Sequence, residues 1–304
     1  KEYRRQRQMC IRDRSDMIKK NGVNIIAIGN GTASRETELF AVELMKELNL
    51  NLQYIMVNEA GASVYSASKL ATEEFPDLDV SIRSAISLAR RLQDPLAELV
   101  KIEPKAIGVG QYQHDMNQKK LGEALGGVVE DCVNSVGVDL NTASPALLSY
   151  VSGVSGTVAK NILAYREENG KFDNRKQLLK VSKLGPKAFE QCAGFLRITD
   201  GKQVLDNTGV HPESYDVAVK LLEKYGYTAD DVKNGGVKGI SKKIKNITAT
   251  AEELGVGVPT LQDIIKELEK PGRDPRDEMP KPILKSDVLS IEDLKEGMAV
   301  SYTH

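Results

Sequence analysis

An internal repeat sets the tightest limit on the fold. Val151-Ser152-Gly153-Val154-Ser155, followed by Ala159 and Ile162, recurs 30 residues later as Val181-Ser182-Lys183-Leu184-Gly185, followed by Phe189 and Cys192. A fixed period of this kind marks a repeated supersecondary unit. Each copy reads as helix, tight turn, helix. Glycine in the turn permits a positive φ and lets the backbone approach a ligand closely. The helix that follows presents unpaired N–H groups and the positive end of its dipole at the turn. Together these make a nest for a phosphate oxygen. Lys160, Lys183 and Lys187 lie close by and add Coulombic attraction, while Pro186 suits a first helical position. Gly153, Ser155, Gly156, Lys160, Lys183, Gly185 and Lys187 are therefore the expected nucleic-acid contacts. Phosphates carry no base information, so binding is expected to tolerate any sequence. The alternative is a helical hairpin pair whose lysines are merely solvated.

Charge favours the first reading. The chain totals −1, yet 1–15 carries +4, 16–140 carries −6, 141–199 carries +5 and 200–304 carries −4. The one basic internal segment coincides with the repeat, as a local phosphate-binding face would. Three cysteines without C-x-x-C spacing read as neither zinc site nor disulfide framework, which makes a reducing cytoplasm the expected compartment. No apolar run is long enough to span a membrane, and no signal peptide is read.

Upstream of the repeat, short apolar runs alternate with helical periodicity. Strands are expected at 24–28, 52–57 and 106–110. Helices are expected at 35–48 with Ser34 as N-cap, at 63–74, at 80–92 with an apolar face of Ile82, Ala85, Ile86 and Ala89, and at 119–136. That alternation is the grammar of an α/β sheet, whose ligands gather at the turns after strands. Downstream, helices are expected at 213–225, 240–254 and 261–268, then a Pro-rich charged linker at 271–282. The fold class is thus α/β followed by all-α. The Arg-rich segment 1–15 and the end 300–304 are expected to lie outside the fold.

Specific motifs carry a family resemblance. Val138-Asp139-Leu140-Asn141-Thr142-Ala143-Ser144, Tyr165-Arg166-Glu167-Glu168-Asn169-Gly170, the run from Leu184 to Arg197 and Val210-His211-Pro212-Glu213-Ser214-Tyr215 resemble the helix-hairpin-helix core of the Tex family. Upstream, the runs from Gly29 to Thr37, Glu59 to Ser63, Arg83 to Ser87 and Gly108 to Asp115 resemble its YqgF-like, RNase H-fold domain. The resemblance covers about 22–298. It implies a partial RNase H-like domain at 16–137, a tandem helix-hairpin-helix module at 138–208 and a small helical bundle at 209–284. It further implies a linker and the start of an OB-fold RNA-binding domain at 285–304, with its first strand at 294–299. The function it implies is a transcription-linked factor that binds RNA, DNA or both, with transcription or translation machinery as further partners.

An RNase H-type nuclease gathers several carboxylates on two metal ions. Glu59, just past a strand end, and Asp115, beside His114, are the candidates here. Asn30, Thr32 and Tyr112 complete a nuclease-like cleft, Tyr112 as a surface for base stacking. The resemblance implies that the fold's first strand, which carries an acidic ligand, lies before residue 16. A complete metal site is therefore not expected, and Mg²⁺ enters only if the nuclease reading holds; no other cofactor is expected. Glu59 is expected instead to cap the helix after Gly61 or to pair with Arg83. The leading function is sequence-tolerant nucleic-acid binding. A metal-dependent nuclease or resolvase and a protein-interaction scaffold of the transcription machinery are the alternatives.

Overall fold

The computed structural model describes residues 2–48 and 52–271. The expected strand at 294–299, the linker beyond Pro271 and the end at 300–304 lie outside the described residues. The chain divides into two compact units, 2–102 and 103–271 among those residues. The α/β pattern expected for 16–137 therefore spans parts of both units.

The first unit opens with helix α1 (Glu2–Asn21). Its Arg-rich start, expected outside the fold, is thus helical, and Ile11 and Ile18 are buried. Their seven-residue spacing puts them on one face, a signal hidden among the arginines. Strands β1 (Ile25–Gly29) and β2 (Gln53–Val57) pair in parallel, Ile25 opposite Gln53 and Gly29 opposite Val57. Helix α2 (Ser34–Leu48) connects them. Ile28, Val42, Leu44, Met45 and Tyr54 form the core between helix and sheet with the two α1 isoleucines. Each such side chain removed from water contributes about 1.5–3 kcal/mol. Ser34 lies inside α2 rather than capping it, because Thr37 N–H already bonds Ala33 O at 3.0 Å.

The expected helix at 63–74 is two: α3 (Ala62–Ser66) and α4 (Lys69–Glu74), divided where the Ser68 side chain caps a new start through Ala71 N–H. Helix α5 (Val80–Gln93) is capped by Asp79, and α6 (Pro95–Leu99) follows. The face that α5 buries differs from the expected one. Arg83, Ser87 and Arg91 are buried, whereas Ile82 is 45% exposed. The physical reason is carbonyl demand from neighbouring turns. Arg83 donates to Phe75 O and Thr72 Oγ1, and Arg91 to Asn58 O and Ala60 O. A guanidinium supplies several donors where an apolar side chain supplies none.

The second unit begins with α7 (Pro104–Ile107), where a third strand was expected. Pro104 pre-sets φ for a first helical turn, and glycines at 108 and 110 end the apolar run before it reaches strand length. A 3-10 turn (Gln113–Asp115) and α8 (Gln118–Val136) follow. Short strands β3 (Val138–Asp139) and β4 (Leu196–Arg197) pair in parallel and bracket the repeat. Between them lie α9 (Pro145–Leu148), α10 (Gly156–Asn169), a 3-10 turn (Arg175–Lys180) and α11 (Pro186–Cys192).

After β4 come α12 (Tyr215–Lys224), α13 (Ala229–Lys233), α14 (Ile240–Lys243), α15 (Ile247–Leu254) and α16 (Val258–Glu269). The expected helix at 240–254 is broken at Asn246, whose side chain caps α15 through Ala249 N–H at 3.1 Å. Leu221, Val232, Ile240, Leu261, Ile264 and Leu268 pack together as the core of these helices.

Candidate nucleic-acid interface

The repeat in sequence becomes a repeat in backbone. Gly153 has φ 80° and Lys183, at the same place in the second copy, has φ 65°. Lys183 is the one non-glycine with positive φ among the described residues. Val154 N–H closes the first turn on Val151 O at 2.9 Å, and Leu184 N–H closes the second on Val181 O at 3.2 Å. An extended residue then starts each helix: Ser155 (φ −73°, ψ 160°) before α10 and Gly185 (φ −82°, ψ 172°) before α11. The flanking apolar residues Val151, Val154, Val181 and Leu184 are buried. Gly153, Ser155, Gly156, Lys160, Lys183, Gly185 and Lys187 are all exposed.

The two copies lock each other reciprocally. Asn161 Nδ2 on α10 donates to Ser182 O of the second turn at 2.7 Å. Its counterpart 30 residues on, Gln191 of α11, packs on the first turn: a Cβ placed on Gly153 would lie 2.7 Å from Gln191 Cβ and 3.1 Å from Ala188 O. Gly153 thus serves both its φ and the close approach of α11. Asn134 of α8 adds a third anchor, its Oδ1 accepting Ser152 N–H at 3.1 Å. Both turns are therefore held rigidly relative to one another.

Of the nine basic residues of 141–199, the three arginines hold the fold together. Arg166 donates to Leu140 O and Ala143 O, and burial lowers its pKa against the opposing charges of Glu167 and Asp139. Arg175 is fully buried and donates to Leu196 O at 2.6 Å, to Val210 O and Tyr215 Oη at 2.8 Å each, and to Thr208 O. Tyr215 Oη in turn donates to Asp206 Oδ1 at 2.5 Å, and burial raises the phenol pKa well above its ordinary range. Arg197 is largely covered, and its side chain crowds Gly137. The six lysines are the residues that face solvent: 160, 171, 176, 180, 183 and 187. Lys160, Lys183 and Lys187 form no ion pair among the described residues.

A third hairpin escaped the sequence reading. At Gly255-Val256-Gly257 a left-handed residue (φ 69°) is again followed by one apolar residue and an extended one (φ −70°, ψ 149°) that leads α16. Leu261 N–H bonds Gly257 O at 3.0 Å, as Ala159 bonds Ser155 at 2.9 Å and Phe189 bonds Gly185 at 3.0 Å. Its signature, Leu254-Gly255-Val256-Gly257, lies in the sequence but outside the basic segment.

The nuclease-like residues divide between the units. In the first unit Asn30 Oδ1 accepts Glu59 N–H at 3.1 Å, with Thr32 exposed nearby in the same turn. The Glu59 carboxylate lies against the glycine turn after β1: a Cβ on Gly31 would come within 1.6 Å of it, and one on Gly29 within 2.3 Å. It neither caps the helix after Gly61 nor pairs with Arg83. Arg91 instead straddles it, donating to the carbonyls on either side, Asn58 O at 2.7 Å and Ala60 O at 2.9 Å. Burial lowers the Arg91 pKa, against the charges of Glu98 and Glu59. Tyr112, His114 and Asp115 belong to the second unit and are exposed. Among the described residues no three His, Cys, Asp or Glu side chains gather to hold a metal ion. Glu59 alone does not make the multi-carboxylate set that two-metal chemistry requires.

These features define a protein that joins a YqgF-like domain to helix-hairpin-helix domains. Residues 1–93 match the Tex protein YqgF-like domain, 133–197 a helix-hairpin-helix motif and 203–276 an HHH domain. The chain belongs to the Tex family. It is 56% identical over 297 residues to the transcriptional accessory protein Tex of Neisseria gonorrhoeae, covering 97% of this chain and 39% of that one. It is also 56% identical over 289 residues to protein YdcI of Bacillus subtilis, covering 94% and 40%. A human relative, S1 RNA-binding domain-containing protein 1, is 42% identical over 334 aligned residues, covering 91% and 33%. The chain thus spans no more than about two fifths of these relatives. No helix among the described residues is long and apolar enough to cross a membrane.

Proposed function

We propose that this chain is a nucleic-acid-binding region of a transcription accessory factor, and that it holds RNA or DNA by its phosphates without reading sequence. The reciprocal lock between the two hairpin turns carries this reading. It fixes two left-handed turns, two helix N-termini and three unpaired lysines in one rigid frame. Backbone amides and lysines contact phosphate oxygens, which supply affinity and register but no base discrimination. Two relatives support the context, one a transcriptional accessory protein and the other an S1 RNA-binding domain-containing protein. Transcription or translation machinery is a natural further partner, in the cytoplasm.

Fluorescence anisotropy with labelled single-stranded RNA and duplex DNA across a salt series tests the reading. Binding is expected to weaken steeply with salt. The variant Lys160→Glu/Lys183→Glu/Lys187→Glu is expected to lower affinity roughly a hundredfold or more at about 0.1 M salt. Salt-insensitive binding, or a folded variant that binds as well as the parent, overturns it.

A further inference from the structure

The total charge of −4 over 200–304 conceals a second basic segment. From 232 to 251 there are five lysines, 233, 238, 242, 243 and 245, and no acidic residue. All five are exposed, and none forms an ion pair among the described residues. Lys243 Nζ lies 4.2 Å from the centroid of the Tyr227 ring, a cation–π contact that leaves the charge at the surface.

Two acids that bracket the turn, Asp231 in the chain and Glu269 through its bonds to Ser241, are already engaged. Asp231 Oδ2 accepts Thr228 N–H at 2.8 Å and Thr228 Oγ1 at 2.9 Å. Glu269 Oε1 accepts Ser241 N–H at 3.0 Å and Ser241 Oγ at 2.6 Å. The lysines sit on a fixed scaffold, since Gly236 packs directly on Glu269 O, where a Cβ would come within 2.3 Å.

Within the segment the four-residue hairpin turn appears once more. Val237-Lys238-Gly239-Ile240 has φ 84° at Gly239, Ile240 N–H on Val237 O at 3.3 Å, and Val237 and Ile240 buried. It matches Val151-Ser152-Gly153-Val154 and Val181-Ser182-Lys183-Leu184 position by position. Here, however, the Glu269 carboxylate already occupies the donors just beyond the turn. The backbone has its anion, and the lysine side chains remain for an external one.

We propose that Lys233, Lys238, Lys242, Lys243 and Lys245 form a second contact surface for the phosphodiester backbone of the nucleic acid that the hairpin pair engages. The proposal rests on that reading of the hairpins. Five positive charges without interleaved acids match the regular negative charge of a polynucleotide. Contacts made by lysine side chains act as point charges, so this surface adds affinity and salt dependence without base preference.

The test compares the full chain with Lys233→Gln/Lys238→Gln/Lys245→Gln, which spares Lys242 beside Glu269 and Lys243 on Tyr227. The Lys→Arg triple is the charge-preserving control, and thermal unfolding confirms that each variant folds. On labelled single-stranded RNA and duplex DNA, the Gln variant is expected to bind about tenfold more weakly at about 0.1 M salt. Its log K against log salt slope is expected to be shallower by about two, and the Arg variant is expected to behave as the parent. An unchanged slope in a folded Gln variant overturns the proposal and assigns the patch to another partner, such as an acidic protein. The hairpin variant, run alongside, separates the two ideas. Loss of binding there with an unchanged slope in the Gln variant leaves the hairpins standing alone. A reduced slope in the Gln variant with an unaffected hairpin variant removes the hairpins and keeps this surface. A parent chain that binds neither probe overturns both.

Discussion

The turn at Gly153–Ser155 and the turn at Gly255–Gly257 are built alike: a left-handed residue, one apolar residue, then an extended residue leading a helix. Their surroundings are not alike. The first is pressed against α11 and flanked by lysines, whereas open space surrounds Gly255 and Glu252 and Glu253 precede it. Gln262 stands where the first hairpin has Lys160, and Pro259 where the second has Lys187. A hairpin backbone is therefore a general way to join two helices. What suits one to a polyanion is the charge displayed around it.

The comparison can be broken at several points. The largest effect is expected from Gly153→Ala, which adds a strained left-handed side chain and a clash with α11. It is expected to cost about 2–4 kcal/mol in urea unfolding, against about 1–2 kcal/mol for Gly255→Ala, which meets no neighbour. Equal costs would mean that the reciprocal lock contributes nothing. Next, Lys183→Gly relieves the left-handed lysine. It is expected to raise stability by about 1 kcal/mol while weakening nucleic-acid binding several-fold. Stability and affinity moving in the same direction would show that the lysine is there for packing.

A smaller effect is expected from placing lysines on the third hairpin with Glu252→Lys/Gln262→Lys, a gain of a few-fold in anisotropy at low salt. No gain would mean that charge alone does not make a hairpin a binding turn. The smallest concerns acid. Ser241 hydrogen bonds and the Gly239 amide, with Lys242, hold the Glu269 pKa below the ordinary glutamate value. Its contribution is fully present above that ordinary value and is lost as pH falls through the lowered one. Glu269→Gln is expected to flatten the acid side of the stability profile measured by urea midpoints, and an unchanged acid limb would discount the carboxylate's role in the loop.

Much of this was legible in the sequence where local signals agreed with tertiary need. The repeat gave both basic hairpins, and apolar runs bounded by polar turns gave β1 and β2. Sequence reading failed where polar groups do the packing. Arg83 and Arg91 are buried because turns need donors, so the apolar side of α5 faces out, against the periodicity. The segment 106–110 is apolar but has glycines in place of a strand's branched residues, and Pro104 starts a helix instead. The lysines of 233–245 are masked in the net charge of 200–304 by the acids on either side of them. At the candidate site the two turns and their exposed lysines were readable from the repeat. The Asn161 and Gln191 locks were not, because each depends on the partner hairpin being in place.

Arg175 has a consequence for how this half of the molecule comes apart. The two helix-hairpin-helix matches end at 197 and begin at 203, which suggests a seam between two modules. The Arg175 guanidinium reaches across it, taking carbonyls from Leu196 on one side and from Thr208 and Val210 on the other. Neither side can open without stranding a buried cation, at a cost of about 3–5 kcal/mol. The two matched regions are joined in energy: heat or denaturant is expected to melt 138–271 in one step, and a protease cut between them is expected to leave the pieces associated.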